Sequence, residues 1–434
     1  MDDDGGVAFM VVVGGARISV EPPEAARLKA RLRGVFSLLI SIEPKGGAVK
    51  FLRLKVLLPA MGRSKWPVED VVALDEGGRL LPLTRDGIEW NKLELVVPSK
   101  KATYIVEVVP PEKPSPPVFP ERERIARHPS GLEAAICMWP SGKASALSLR
   151  FDDSHPTHLT IAIPELRRRG LKGTFMICPG LPDYIEHRSQ WEAVAKEGDQ
   201  EFANHTLHHK GARDDSEAER EIGEVAKYIR FLFPKATLIA LNLGGGTRWT
   251  TKKPMRYFLE KYGLFYIPGS LGMDDIYGRR VEALRRHLER HIERGLWCRV
   301  HFHSIGKGMA SSLETFRGAL EVVEEYREKL WVAGMAEAYK YWRERLASRL
   351  VLKEVGKGRY LVRVSCETDP RVYDLPLTVE LRLPTGWKGV KVTAIKGKDS
   401  PRVQCLKRGG TLVARFDIPP NGGTFLVLPG DALL

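Results

Sequence analysis

Short apolar runs separated by turn residues dominate the first part of the chain. Runs rich in Val, Leu and Ile cover residues 7–13, 35–42, 49–58, 93–97 and 104–109, with Gly and Pro between them. Such runs are typical of β-strands. The pattern predicts a β-rich accessory domain over residues 1–112. A proline-dense linker is predicted over residues 113–130, because proline is excluded from helix and sheet interiors.

The pattern then changes to strands that alternate with helical stretches. The predicted strands are 146–151, 173–177, 236–241, 265–268 and 297–303, and the predicted helices are 158–169, 190–197, 215–232, 252–262, 279–294 and 312–328. Alternation of this kind favours a parallel α/β barrel or sheet. We assign this domain to residues 131–348.

Strand-like runs return in the last part of the chain, at 360–365, 377–383, 390–395, 411–416 and 424–428. The Pro-Pro-Asn-Gly-Gly sequence at 419–423 predicts a tight turn. We therefore predict a C-terminal β-sandwich over residues 349–434. Trp387 and Tyr373 are its ready candidates for stacking on sugar rings, and we favour a structural role for this domain over sugar binding.

Two adjacent carboxylates follow the strand at 146–151. Side chains alternate between the faces of a strand, so Asp152 and Asp153 serve one site only where the strand stops and the chain turns. Further on, His205 and His209 are four residues apart. On a helical turn they lie on one face, about 5–6 Å apart at Cβ, and both reach one ion. A set of two histidines and one carboxylate leaves positions open for water and substrate, as in catalytic metal sites.

Three segments together resemble one known family. Arg150-Phe-Asp-Asp-Ser154, Gly170-Leu-Lys-Gly-Thr-Phe175 and Ala203-Asn-His-Thr-Leu-His-His209, in this order and spacing, look like the NodB-homology polysaccharide deacetylases, carbohydrate esterase family 4. The resemblance implies an irregular (β/α) barrel of about seven strands. It also implies that Asp152 is the catalytic base and that Asp153, His205 and His209 bind a divalent metal. Zinc is the first expectation, although cobalt, nickel and iron suit the same ligands.

A late strand carries two more histidines, His301 and His303. Alternation places both on one face, so periodicity does not choose between them. His303 lies closer to the end of the strand and hence to the catalytic rim. The family has a histidine here that protonates the leaving amine, and we assign that role to His303, with His301 as the alternative.

The sequence departs from the family at three places. Ser154 stands where the family has glycine, a tolerable change if that position needs no positive φ. The third motif reads Asn242-Leu-Gly-Gly-Gly-Thr-Arg248 and lacks the arginine that normally pairs with the base. Either Arg248 substitutes from a shifted position, or Asp152 works without it, and the glycine run lets the main chain approach a ligand closely. The fourth motif is represented only by Asp274, Asp275 and Tyr277.

The implied activity is metal-dependent removal of N-acetyl groups from an amino-sugar oligosaccharide or polysaccharide, with an N-acetylated glycan as partner. The candidate substrate-binding residues are Arg248, Asp275 and His301. One alternative is a hydrolase of a small non-peptide C–N bond, and a second is a glycan-binding module without turnover. His155 and His158 are not expected to be ligands, and His208 is expected to point away from the ligand pair.

Composition adds limits to this picture. The chain has 434 residues and a net charge of +14. Its basic residues are spread through helical segments without interleaved aromatics, so we expect no nucleic-acid partner. The five cysteines are far apart and form no Cys-x-x-Cys pair, which argues against disulfides and a structural zinc site. We see no signal peptide and no apolar span of the ~20 residues that cross a membrane. A cytoplasmic location is the expectation, and the oligomeric state stays open.

Overall fold

The computed structural model describes residues 10–46, 49–60, 65–112, 114–306, 310–395 and 400–430. Over these residues the protein is mixed α/β, with its strands distributed over several sheets. Residues 7–9 of the first predicted strand and residue 113 of the predicted linker lie outside the described residues. The chain folds into two compact units, the first formed by Met1–Pro114, Met176–Glu192 and Phe202–Pro268, and the second by Ser115–Phe175, Ala193–Glu201 and Gly269–Leu434.

The N-terminal part contains ten strands among the described residues: β1 Met10–Val13, β2 Ala16–Glu21, β3 Ala26–Gly34, β4 Ser37–Pro44, β5 Phe51–Leu57, β6 Val71–Asp75, β7 Leu80–Leu81, β8 Leu83–Asp86, β9 Lys92–Pro98 and β10 Ala102–Val108.

The strands that follow are β11 Ile125–Arg127, β12 Glu133–Ile136, β13 Ser145–Phe151, β14 Gly173–Ile177, β15 Glu201–Asn204, β16 Ile239–Ala240, β17 Arg248–Thr251, β18 Leu264–Phe265, β19 Leu271–Gly272, β20 Trp297–Phe302, β21 Ser304–Ile305, β22 Ala310–Ser311 and β23 Leu330–Val332. The C-terminal strands are β24 Ser348–Gly356, β25 Arg359–Cys366, β26 Leu377–Arg382, β27 Gly389–Ala394, β28 Gln404–Arg408, β29 Thr411–Ile418 and β30 Gly422–Gly430.

The α-helices of the described chain are α1 Ile163–Arg168, α2 Pro182–Glu186, α3 Arg188–Glu197, α4 Asp215–Leu232, α5 Met255–Lys261, α6 Arg280–Arg294, α7 Leu313–Glu325 and α8 Met335–Leu346. A π-helical turn, His158–Ala162, leads directly into α1. No helix in the described part of the chain is long and apolar enough to cross a membrane.

The first unit is built around two antiparallel sheets with the strand orders β1-β2-β5-β9-β8-β17 and β3-β4-β10-β6-β7. Alternate residues of these strands are buried, such as Leu52 and Leu54 of β5 and Ile40 of β4, and they share one apolar core. The edge strand β17 pairs with β8 although it comes from residues 248–251, which the sequence assigned to the central domain.

In the second unit, β13 pairs in parallel with β14, β20 and β23, and β19 pairs in parallel with β20. At the end of β13 the ring of Phe151 stacks on Phe175 and Phe302, with centroids 4.8 Å and 5.2 Å away. The three rings are fully buried or nearly so. This packing aligns the carboxyl ends of three adjacent strands, which is where the residues that follow Phe151 and Phe302 emerge.

The second unit also contains two antiparallel sheets, ordered β11-β12-β26-β29-β28 and β24-β25-β30-β27, which share one apolar core. Trp387 packs against this core, and the structural role favoured for this domain stays a prediction. The structure departs from the expected segmentation here, because β11 lies inside the predicted linker and β12 pairs with β26. The exact domain boundaries stay a prediction.

Candidate active site

The base predicted from the sequence, Asp152, directly follows β13 and is buried. The Nη2 of Arg150 donates a hydrogen bond to Asp152 Oδ2 at 2.6 Å, and both side chains are largely shielded from water. Arg150 precedes Asp152 by two residues and therefore points to the same side of the strand. A guanidinium in this position favours the charged form of the carboxylate. Arg150 thus pairs with Asp152, whereas the sequence analysis had looked for this arginine in the third motif.

The chain turns sharply immediately after Asp152. Asp153 and Ser154 adopt φ values of 74° and 57°, in the left-handed region. The sequence comparison tolerated serine at 154 on the condition that no positive φ was needed, and that condition is not met. A non-glycine residue in this region costs about 1–2 kcal/mol. The turn reverses the chain where Asp152 and Asp153 would otherwise point to opposite faces.

The end of β20 carries the predicted acid. The Nδ1 of His303 lies 2.5 Å from Asp274 Oδ2, and the backbone N–H of His303 donates to Asp274 Oδ1 at 3.2 Å. Burial lowers the pKa of His303, but the hydrogen bond to Asp274 and the charges of Asp152 and Asp153 outweigh burial and raise it overall. With Nδ1–H donated to Asp274, Nε2 is the proton-carrying atom near the site, 4.0 Å from Asp153 Oδ2.

His301 has a different environment although it lies two residues earlier. Its Nδ1 lies 2.8 Å from the hydroxyl of Ser270. Burial, reinforced by the positive charge of Arg150, lowers the pKa of His301 to about 4. A neutral imidazole does not donate a proton readily to a leaving amine. The electrostatics therefore favour His303 over His301 as the acid.

His205 and His209 do not lie on a helical turn, so that part of the prediction is wrong. The strand β15 ends at Asn204, and the chain continues irregularly with φ values of 70° at Thr206 and 52° at His209. The two imidazole rings nevertheless lie with centroids 4.8 Å apart. The Nδ1 of His205 is 3.0 Å from the carbonyl of Asn242, which leaves Nε2 as the ligand atom.

The glycine run of the altered third motif makes room for His209. A Cβ on Gly244 would lie 2.3 Å from His209 Nε2, and Gly244 itself has a φ of +83°. Any larger residue would displace the imidazole, and its backbone conformation would be strained. Glycine at this position therefore leaves space for the imidazole of His209. The sequence analysis had instead considered backbone contacts between the glycine run and the substrate.

His205 and His209 of the first unit and Asp153 of the second unit provide the two imidazoles and the carboxylate that the sequence predicts as metal ligands. Two imidazole nitrogens and one carboxylate oxygen fit a catalytic divalent ion, because three protein ligands leave further coordination positions open. The binding of a metal ion by these three residues stays a prediction.

The remaining candidates have other partners. Arg248 pairs with Glu94 at 2.8 Å on the edge strand β17. Asp275 Oδ2 accepts the backbone N–H of Ser312, the N-cap of α7, at 3.0 Å. The substrate-binding roles predicted for Arg248, Asp275 and His301 stay predictions.

The other three histidines near the site are also placed. His155 Nε2 lies 3.7 Å from Asp153 Oδ2, and His208 Nδ1 lies 2.8 Å from Glu221. The fully buried His158 donates from Nε2 to the carbonyl of His303 at 2.8 Å. Burial lowers the pKa of His158 to about 4, so this imidazole is neutral and supports the end of β20. Sequence spacing gave no sign of that contact.

Comparison with known proteins gives a match over the region of this site. Residues 140–264 match the family model described as polysaccharide deacetylase. Gellan lyase from Bacillus sp. is 22% identical over 336 residues, which are 68% of this chain and 13% of that protein. The chain therefore spans 13% of the length of this curated relative.

Two solved structures are also similar to parts of the chain. Chitin deacetylase from the fungal pathogen Colletotrichum lindemuthianum is 13% identical, with a TM-score of 0.35, and the match covers 47% of this chain and 89% of that one. A family 4 carbohydrate esterase pseudoenzyme from Bacillus anthracis is 15% identical, with a TM-score of 0.32, and the match covers 43% of this chain and 62% of that one.

Proposed function

We propose, from the match of residues 140–264 to the polysaccharide deacetylase family model, that the chain is a metal-dependent hydrolase that removes N-acetyl groups from an amino-sugar oligosaccharide or polysaccharide. The observation that carries this proposal is the presence of two ion pairs in the second unit, each made of one positively and one negatively charged side chain. Arg150 holds the carboxylate Asp152, and Asp274 holds the imidazole of His303. Amide hydrolysis needs one group that accepts a proton and one that donates it.

The architecture we propose for this activity is an irregular (β/α) barrel flanked by N- and C-terminal all-β domains. Parallel pairing of β13 with β14, β20 and β23 supports a barrel-type sheet. In barrels of this type the active site lies at the carboxyl ends of the strands. Asp152 and His303 both follow such ends.

The metal would be held by Asp153, His205 and His209. A divalent ion bound there, zinc in our proposal, would polarise the acetyl carbonyl and promote ionisation of water near pH 7. The hydrogen bond from His205 to the carbonyl of Asn242 fixes the ring orientation and the tautomer of this ligand. Gly244 leaves the space that His209 occupies.

The chain's own residues then carry the protons. Asp152 accepts the proton of the attacking water while the water oxygen bonds to the acetyl carbon, and Arg150 keeps the carboxylate charged and oriented for this step. His303 Nε2 donates a proton to the amide nitrogen as the C–N bond breaks, and Asp274 stabilises its charged form. Acetate and a free amino sugar leave the site.

The test combines metal content with acetate release from N-acetylated chito-oligosaccharides. We expect Asp153→Ala to bind one zinc ion fewer than the unaltered chain and to lose turnover, whereas Asp152→Asn keeps the full metal content and loses turnover. Chelation should stop acetate release by the unaltered chain, and added zinc should restore it. Full turnover and an unchanged metal content in Asp153→Ala would contradict the proposal. If the chain binds metal and releases no acetate, but releases amine from small amides, the alternative function applies, a hydrolase of a small non-peptide C–N bond.

A further inference from the structure

A second cluster of ligand side chains lies on α6 and at the start of β20. His287, His291 and Cys298 each offer one ligand atom, and these atoms lie within 4.8 Å of one another. None of the three takes part in the proposed hydrolysis. We propose that these residues form a second metal site, for a thiophilic ion such as Zn²⁺, which goes beyond the proposed deacetylase function.

The local fold presents these side chains on two rigid elements. His287 and His291 are one turn apart on α6, and their rings lie with centroids 4.1 Å apart. The helix α6 ends at Arg294 and is followed by its C-cap Gly295, which has a left-handed φ of 67°. The strand β20 begins two residues later, at Trp297. This short connection returns Cys298, which is fully buried, to the side of the two imidazoles.

The hydrogen bonding of His291 suits a metal ligand. Its Nδ1 lies 2.7 Å from the carbonyl of His287, so the ring donates there and Nε2 is left to bind. Metal-ligating histidines usually have such a second partner, which fixes the tautomer and the ring orientation. Zinc bonds are about 2.0–2.1 Å to nitrogen and about 2.3 Å to sulfur.

The positive charge of nearby arginines explains why a thiol is needed among the three proposed ligands. Arg290, Arg294 and Arg299 lie near the imidazoles and lower the pKa of His291, in addition to the larger effect of burial. These guanidinium groups disfavour a bound cation. A coordinated cysteine is deprotonated, and its thiolate offsets one positive charge of the ion. Two histidines without the cysteine would leave that repulsion uncompensated.

Cobalt(II) as a probe separates this site from the proposed catalytic site, because only a thiolate ligand gives an intense near-ultraviolet charge-transfer band. We expect the metal-free full chain to develop this band on addition of cobalt(II). The Cys298→Ser variant should lose it, and His287→Gln should weaken it. The matched variant of another buried cysteine, Cys137→Ser, should keep it, and so should Asp153→Ala.

The melting temperature measured with and without zinc gives a second readout that does not depend on activity. We expect zinc to raise the melting temperature of Asp153→Ala but not that of the double variant Asp153→Ala, Cys298→Ser. A band that is absent from the unaltered chain, or that persists in Cys298→Ser, would overturn the second site. That result leaves the proposed hydrolase untouched, whereas the loss of one zinc ion and of acetate release in Asp153→Ala concerns the hydrolase alone.

Discussion

The carboxyl ends of β13 and β20 hold their ionisable side chains by opposite means. At the end of β13 a carboxylate, Asp152, is paired with a guanidinium two residues earlier on the same strand. At the end of β20 an imidazole, His303, is paired with a carboxylate 29 residues earlier in the chain. The first pairing favours a charged acceptor and the second a charged donor. In the proposed mechanism the partner, more than the residue type, sets which of the two side chains accepts a proton and which donates it.

His301 and His303 make the same point on one strand. Both are imidazoles that follow the same alternation, yet burial and Arg150 lower the pKa of His301, whereas Asp274 raises that of His303. If the partner determines the role, loss of the two histidines should have unequal consequences.

The largest effect should come from the proposed acid. We expect His303→Ala to lower kcat for acetate release by about 10²–10⁴-fold, the range for loss of a general acid. His301→Ala should lower it by less than about tenfold, because a neutral imidazole bound to Ser270 does not carry the transferred proton. Steady-state kinetics on one N-acetylated oligosaccharide, with metal content measured for both variants, tests this. Equal losses would remove the distinction between the two histidines.

A smaller effect should follow from removing the partner of the acid. The acid must be protonated, so activity falls as the pH rises through the pKa of His303. Asp274 raises that pKa, so Asp274→Asn should lower it and move the alkaline limb of the kcat profile to lower pH. The pH profile of Ser270→Ala is the control, since Ser270 contacts His301. An unchanged alkaline limb in Asp274→Asn would show that Asp274 does not set the charge of His303.

The partner of the base should matter less than the base itself. We expect Arg150→Ala to lower kcat by about 10–100-fold and Arg150→Lys to recover part of the loss, since a lysine keeps the charge but not the guanidinium geometry. Millimolar methylguanidinium should rescue Arg150→Ala, and methylammonium should rescue it less. Arg248→Ala, which breaks the pair with Glu94, serves as the control with nearly unchanged kcat. Loss in Arg248→Ala equal to that in Arg150→Ala would return the role to the third motif.

Much of the fold could be predicted where the pattern is local. The periodic stretches at 173–177 and 215–232 coincide with β14 and α4, because both elements are set by the spacing of their own apolar residues. The pairing of β17 with β8 could not be predicted in this way. It joins segments far apart in the chain, and no residue of either strand specifies the other.

The candidate site shows the same limit. Its residue types and order predicted Asp152, Asp153 and the histidines, but the left-handed conformation at Thr206 has no sequence signal, since a β-branched residue is rare in that region. The role of Arg150 was missed although it lies inside the first motif. The family pattern had directed attention to a later arginine, and only the coordinates show which guanidinium reaches Asp152.

The smallest effect concerns the turn that separates the two carboxylates at the end of β13. Ser154 has a φ of 57° in a buried position, a conformation that glycine adopts without strain. We expect Ser154→Gly to keep the metal and turnover and to stabilise the fold by up to about 1 kcal/mol, whereas Ser154→Val should destabilise it by more than that, because a β-branched side chain is disfavoured at positive φ. Denaturant unfolding of both variants measures the difference. If Ser154→Gly were clearly less stable than the unaltered chain, hydrogen bonds of the serine hydroxyl would outweigh the backbone strain. The turn would then be held by its side chain, as the two strand ends are.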